Sequence, residues 1–218
     1  MSQILIVEGN DAIVLSNLCR IRRLPPPTGY ASQEKFRSEF VKNAGGFDNS
    51  LFDFSEALKK NDYTNIGLII DANDKGAAGR WASVKSILSA HFSAETLNVL
   101  APKPEGIIVQ ETGLPTVGIW IMPDNEAVGY LEHFVAAMIP VGDEVWEYAN
   151  GAVNELEKEK YCRFKPVKKQ KALLHTWLAW QEEPGKPFGT ALEFKYFDAH
   201  ASAVQPFLDW MKNTFRLG

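Results

Sequence analysis

Carboxylate side chains follow two short apolar runs of the chain. Ile4 to Val7 and Leu68 to Ile70 are unbroken and mostly β-branched, as in strands buried on both faces of a sheet. Oxygen-bearing side chains come after them: Glu8 after the first run, then Asp71, Asn73 and Asp74 after the second. Ligands of open α/β sheets gather at the carboxyl ends of strands, and carboxylates bind hard divalent cations. The pattern predicts a Mg²⁺ or Mn²⁺ site built on Glu8 and Asp71.

Each of these acids also has a purely structural interpretation. Asp11 and Asp74 either reach the cation through water or act as helix caps or first-turn acids. Glu8, taken alone, could simply be solvated. Two separate strand-end clusters within the first 75 residues favour the metal site.

A third acidic strand end is predicted after the apolar run Val117 to Ile121. Asp124 follows it and is a further candidate metal ligand, while Glu132 is a candidate second-metal ligand or catalytic base. The alternative is that Asp124 or Asn125 caps the next helix and that Glu132 faces solvent. The sequence leaves both interpretations open.

Basic side chains cluster in the second half of the chain. Lys168, Lys171 and His175 are spaced to share one helical face, which can hold a phosphodiester backbone with His175 near the scissile group. Arg80, early in the helix after the acidic turn, either holds a phosphate or pairs with Asp74. The alternatives are a solvated lysine face and a histidine that packs in the core or against a partner.

Composition places the chain among ordinary soluble proteins. It has 218 residues, 45% hydrophobic and 23% charged, with a formal net charge of −4. No apolar run is long enough to span a bilayer, and no secretory signal is evident, so we expect a cytoplasmic protein without membrane contact. Cys19 and Cys162 have no ligand spacing. The acidic balance does not indicate DNA or RNA binding, although a local basic face can supply it.

Strand-like and helix-like segments alternate in the first half. Further strands are predicted at 107–109 and 117–122, and helices around 12–18, 34–42, 51–60 and 77–92. The second half is predicted to be helical, at 129–139, 144–157, 165–182, 190–196 and 204–215. This pattern indicates an α/β core, residues 1–140, with an α-helical C-terminal portion, residues 141–218, packed on it as one compact unit.

Two motifs give the chain a family resemblance. Ile4-Leu-Ile-Val-Glu-Gly-Asn-Asp11 resembles the first motif of the TOPRIM fold, and Ile69-Ile-Asp-Ala-Asn-Asp74 resembles its second, a strand-end Asp-x-Asp. Later segments, Gly118 to Asn125, Gly129 to Glu132 and His175 to Trp180, are similar to a small prokaryotic TOPRIM-like family of unknown function. The resemblance implies a TOPRIM-like, mostly parallel sheet flanked by helices.

The same resemblance implies an activity. TOPRIM domains share Mg²⁺-dependent phosphoryl-transfer chemistry, and the more distant OLD-family nucleases work with an ABC-type ATPase. On this resemblance the chain is expected to be a metal-dependent nuclease acting on DNA or RNA, with a separately encoded ATPase, in defence against phage.

One residue departs from the motif and supports a different expectation. Asn73 stands where the second Asp of Asp-x-Asp is expected; its carbonyl oxygen can bind Mg²⁺ but brings no negative charge. Asp74 either compensates, or the chain is an inactive TOPRIM-like binding or assembly module. Aromatic residues of the second half would then form a partner surface, with a homodimer as one form of association; the alternative is that these residues make an aromatic-rich core.

Overall fold

A computed structural model describes residues 2–9, 12–25, 40–60 and 62–217. Its strands are β1 (Ser2–Val7), β2 (Val41–Asn43), β3 (Tyr63–Asp71), β4 (Ile107–Val109) and β5 (Thr116–Met122). Its helices are α1 (Ala12–Ile21), α2 (Phe47–Lys60), α3 (Gly76–Leu88), α4 (Ala94–Asn98), α5 (Leu131–Ala136), α6 (Glu144–Glu157), α7 (Lys169–Ala179), α8 (Phe188–Glu193) and α9 (Gln205–Phe215). Short 3₁₀ turns at Pro166–Lys168 and Ser202–Val204 precede α7 and α9.

The strands form a single mostly parallel sheet in the order β2-β1-β3-β5-β4. β1 pairs in parallel with β2 and β3, and β3 pairs in parallel with β5, whereas the edge strand β4 is antiparallel to β5. The register places Val7 opposite Ile69 and Asp71 opposite Met122. The carboxyl ends of four strands, with the residues that follow them, therefore share one edge of the sheet.

Helices cover both faces of the sheet because successive side chains of each strand point to opposite sides. Leu5 and Val7 belong to a core shared with α1 and the C-terminal helices, and Ile6 belongs to a core shared with α2 and α3. In β5, Trp120 lies on the first side and Ile121 on the second. The α/β class, the mostly parallel sheet and the helical C-terminal part are as the sequence predicts.

The predicted helix at 34–42 is wrong where the structure describes it. Residues 34–39 lie outside the described residues, but Val41 and Lys42 belong to β2, which pairs in register with Leu5 and Ile6. Pairing with a neighbouring strand outweighs the local helical pattern there.

Other element ends differ from the predictions by a few residues. The predicted helix at 165–182 is a 3₁₀ turn followed by α7, which ends at Ala179, and the helix predicted at 77–92 ends at Leu88. Helix ends are weakly specified by sequence because the last turn lacks intrahelical partners. Within the described part of the chain, no helix is both long and apolar enough to cross a membrane.

Candidate active site

The two principal acids of the predicted site are neighbours at the carboxyl edge of the sheet. The backbone N–H of Glu8 donates to the carbonyl oxygen of Ile69 at 3.0 Å, which continues the β1–β3 pairing by one residue. The backbone N–H of Asp71 donates to Oε2 of Glu8 at 2.9 Å. The Glu8 carboxylate is thus fixed across the end of β3, beside the start of the acidic turn.

Burial shifts the acid strength of Glu8. Its carboxylate is half-buried, and this loss of solvation raises its pKa above the ordinary glutamate value. The hydrogen bond from Asp71 and the charge of Arg80 act in the opposite direction, whereas the charge of Asp48 adds to the rise. A carboxylate that is costly to ionise in the protein gains more from a nearby cation than a solvated one does.

Arg80 carries a buried positive charge at this edge. Its side chain is only 6% exposed, and its guanidinium carbon lies 3.7 Å from the centre of the Phe47 ring. Nε donates to the carbonyl oxygen of Ala72 at 3.4 Å, and Arg80 makes no ion pair within the described ranges. A buried guanidinium with unused donors is suited to an anionic ligand such as a phosphate. The predicted pairing of Arg80 with Asp74 is not observed.

Asn73 has a conformational role in the turn after β3. Its φ of +47° lies in the left-handed region, which asparagine adopts more readily than most residues. Its backbone N–H donates to the carbonyl oxygen of Gly129 at 2.7 Å, and the two residues form an isolated bridge. This geometry gives a backbone reason for asparagine at this position. Asp74 follows it and is exposed.

Asp124 is exposed in the turn after β5. Its Oδ1 accepts hydrogen bonds from the backbone N–H groups of Glu126 at 3.0 Å and Ala127 at 2.8 Å. The buried Asn125 holds the same turn, because its Oδ1 accepts from the backbone N–H of Ile121 at 2.7 Å. One carboxylate oxygen of Asp124 is therefore engaged in turn structure, and the residue as a whole is exposed.

Three residues predicted from different parts of the chain meet between α5 and α7. Lys171 Nζ lies 3.0 Å from Oε1 of Glu132, whose side chain is 10% exposed. Partial burial, and then the positive charge of Lys171, lower the pKa of His175, while Glu132 opposes this shift. Glu132, Lys171 and His175 thus form one group of interacting charges. Lys168 lies on the same side, with Nζ 5.9 Å from the centre of the Tyr130 ring.

Tyr130 joins this group to the acidic edge. Loss of solvation and the negative charges of Glu132, Asp71 and Asp74 all raise its pKa. Its hydroxyl donates to the carbonyl oxygen of Val167 at 2.6 Å. The sequence does not indicate a role for Tyr130, because its position depends on the fold bringing residues 71–74 and 167 to either side of it.

The edge carries hard oxygen donors, the type of ligand that Mg²⁺ and Mn²⁺ prefer. Glu8 and Asp71 supply carboxylate oxygens, and Asn73 and Asp74 add further hard oxygen donors. Mg²⁺ usually takes one or two carboxylates, several waters and substrate phosphates. Within the part of the chain that the structure describes, no three His, Cys, Asp or Glu side chains form a metal-binding group. Asp11, expected to act through water, lies outside the described residues.

These features define an α/β protein with carboxylates and a buried arginine at the carboxyl edge of a mostly parallel sheet. The chain belongs to the family described as Protein of unknown function (DUF3226), which matches residues 2–216. The match spans both the sheet and the helical second half. No curated protein and no solved structure matches the chain.

Proposed function

We propose that the protein is a TOPRIM-like, Mg²⁺- or Mn²⁺-dependent nuclease that cuts phosphodiester bonds of DNA or RNA. The observation that carries the proposal is the combination of two strand-end carboxylates, Glu8 and Asp71, with the buried guanidinium of Arg80 beside them. This chemistry requires carboxylates that hold a metal ion and a positively charged side chain that holds a phosphate.

In this proposal each residue has a distinct part. Glu8 and Asp71 hold the cation, with Asn73 and Asp74 as further oxygen donors and Asp124 as a more distant candidate. When bound, Mg²⁺ activates water and stabilises negative charge on phosphorus. Arg80 binds a non-bridging phosphate oxygen through its unused N–H donors, because its Phe47 stack fixes the plane of the guanidinium.

The basic group beyond Tyr130 binds the nucleic-acid strand next to the phosphate that is cut. Lys168 and Lys171 contact backbone phosphates, and such contacts make affinity dependent on salt. Glu132 and His175 are the candidates for proton transfer. The ion pair between Glu132 and Lys171, 3.0 Å between Nζ and Oε1, keeps the candidate for proton transfer close to the phosphate-binding lysine.

The alternative function is an inactive TOPRIM-like binding or assembly module. The observation that favours it is Asn73, whose left-handed backbone and bridge to Gly129 account for its residue type without a metal. A separately encoded ABC-type ATPase is compatible with either proposal. If the nuclease requires it, the purified chain binds Mn²⁺ and nucleic acid but cuts only when the ATPase is added.

Cleavage assays test the nuclease directly. Labelled single-stranded DNA, duplex DNA and tRNA would be incubated with Mg²⁺ or Mn²⁺ and with wild type, Glu8→Gln or Asp71→Asn. We expect metal-dependent cutting that falls by at least about 100-fold in both variants, because each removes a ligand charge while keeping the shape of the side chain. Calorimetry would show weaker metal binding in parallel.

Two further variants make the assay specific. Asp124→Asn keeps an oxygen that can accept the turn hydrogen bonds, so a loss of cutting in this variant would assign Asp124 to the metal site. Glu105→Gln changes an exposed acid near β4 and should cut like wild type. A wild type that neither cuts nor binds metal would exclude the nuclease and leave the binding module.

A further inference from the structure

A cleft of about 470 Å³ opens beside the acidic edge, between the turn after β3 and the helical second half. Asn73, Asp74 and Tyr130 line its side nearest the sheet, and residues of α6 and α7 line the other. Its volume lies within the range of about 300–1,000 Å³ that is typical of small-molecule sites. Asn73 and Asp74 belong to the candidate metal site, whereas the α6 side of the cleft has no part in that site.

Helix α6 gives the cleft a wall of one aromatic and two amide side chains. Trp146, Asn150 and Asn154 are spaced four residues apart and therefore share a helical face. Asn154 Nδ2 donates to Asn150 Oδ1 at 3.1 Å. This bond uses one donor and one acceptor, which leaves the Asn150 amide N–H group and the Asn154 carbonyl oxygen for a ligand.

Apart from the Asp74 carboxylate on the sheet side, the remaining polar groups of the cleft are close to electrically neutral. His133 Nδ1 accepts from the backbone N–H of Tyr130 at 3.3 Å, so in the neutral ring Nε2 carries the proton. Gln170 adds an amide, and the charge of Lys169 is matched by Glu157 at 2.6 Å. This wall suits an uncharged, planar ligand with donor and acceptor edges better than a phosphate.

We propose that this cleft holds one unstacked nucleobase of a single-stranded nucleic acid. The inference rests on the proposed nuclease function, which supplies nucleic acid as the substrate class. Amide side chains match the donor and acceptor edges of a base, and an aromatic ring such as Trp146 provides a contact surface for it. Because Asn73 and Asp74 line the cleft and also belong to the acidic edge, the phosphate attached to that base lies at that edge. A base paired inside a duplex cannot enter a cleft without leaving the stack.

Calorimetric titration of short strands tests the base site apart from cleavage. With EDTA present, the protein would be titrated with a single-stranded pentamer, the same pentamer lacking its central base, and a blunt duplex, as DNA and as RNA. We expect the abasic pentamer to bind at least about tenfold more weakly than the intact one, because a stacked base contributes roughly that much affinity. The duplex should bind more weakly still. Comparison of the DNA and RNA titrations identifies which of the two nucleic acids provides the base.

Matched variants locate the effect in the cleft. Asn150→Ala and Gln170→Ala should each weaken the intact pentamer by about five- to tenfold, while leaving the abasic pentamer nearly unchanged. Asn98→Ala, an exposed amide on α4 outside the cleft, should change neither. Equal binding of intact and abasic strands, no binding of either, or no effect of both cleft variants would overturn the inference.

The same data separate this inference from the nuclease proposal. Base-dependent binding together with a wild type that neither cuts nor binds metal would leave the base site and exclude the nuclease. Metal-dependent cutting of strands that bind without any base dependence would leave the nuclease and exclude the base site.

Discussion

At the scale of single residues, the carboxyl edge of the sheet carries charged side chains at buried positions, where neutral side chains would make the folded protein more stable. Glu8 is half-buried, and Arg80 is 6% exposed without an ion pair among the described residues. Burying an ionised group without a strong partner costs free energy of folding. Such positions are typical of sites that are completed by a ligand.

The substitution Glu8→Gln should make the protein more stable at neutral pH. Burial raises the pKa of Glu8 in the folded state, so the contribution of this group to stability is fully present below the ordinary glutamate pKa of about 4.3 and is lost as pH rises through the folded-state pKa. Gln does not titrate, and its oxygen can still accept from the Asp71 N–H group. Thermal unfolding from pH 3 to 8 should show a variant advantage that shrinks toward acid.

Metal provides the control for this prediction. At a Mg²⁺ concentration of 100 times Kd, binding would stabilise wild type by about 2.7 kcal/mol, which raises Tm by about 5–10 °C. The Glu8→Gln variant should show little of this rise. A variant that is less stable than wild type at neutral pH without metal would contradict the interpretation.

The substitution Arg80→Met should weaken substrate binding without loss of stability. Met keeps an apolar side chain against Phe47 and removes the buried charge, so the free energy of unfolding should stay within about 1 kcal/mol of wild type. A lost charge-assisted hydrogen bond to phosphate should raise KM or Kd at least about tenfold. Urea unfolding and strand binding measure the two effects.

Lys75→Met is the matched control for Arg80→Met. Lys75 is exposed just before α3, so this variant removes the same charge without removing a buried donor. Its effect on affinity should be less than about threefold. Equal losses in both variants would indicate general electrostatic attraction instead of a specific phosphate contact.

Residue-level prediction from the sequence succeeded where the signal is local. An apolar run followed by an acid is visible in the chain, and Glu8 and Asp71 do lie at adjacent strand ends. The burial of Arg80 against Phe47 is not visible, because the two residues lie on different helices. The role of Asn73 depends on a backbone angle that its residue type permits but does not require.

At the scale of elements, the strands were predicted better than the short helices. β3 and β5 each contain a continuous apolar run, at 66–70 and 117–122, as central parallel strands require, whereas β2 has only three residues and depends on β1 for its pairing. The close packing of α9 on the sheet was not predicted. This packing depends on small residues in β3 and β5. Their effect cannot be predicted from the sequence, because it depends on where α9 lies.

The substitution Gly118→Ala tests this packing of α9 on the sheet. A β-carbon at Gly118 would overlap the side chain of Thr214, which is fully buried in α9. Overpacking of this kind costs about 1–3 kcal/mol. Urea unfolding should show that loss, whereas Gly151→Ala should add about 0.5–1 kcal/mol, because it lies in α6 with nothing near its β-carbon. Loss at both positions would point to a general intolerance of added methyl groups.

At the scale of the whole molecule, the helical second half completes the core of the first half. One core cluster unites β1, β3 and β5 with α7 and α9, and in it Trp120 contacts Phe207 at 5.3 Å and Trp210 at 5.7 Å between ring centres. The candidate site is divided in the same way, since the acids come from the sheet and the lysines and His175 from α7 and the turn before it. Sequence patterns identify each half but not the contact between them.

A chain truncated after Pro140 should therefore not fold. Removing residues 141–218 would expose one face of the sheet, including Leu5, Ile69 and Trp120, which are at most 1% exposed in the full chain. Burial contributes roughly 25 cal/mol per Å² of apolar surface, so newly exposing a few hundred Å² costs about as much as the whole net stability of a typical domain, about 5–15 kcal/mol. The full chain should show coincident far- and near-ultraviolet circular dichroism transitions in urea, and residues 1–140 no cooperative transition. A cooperative transition of residues 1–140 alone would instead establish them as an independent domain, with the helical portion as an appendage that the sheet does not require.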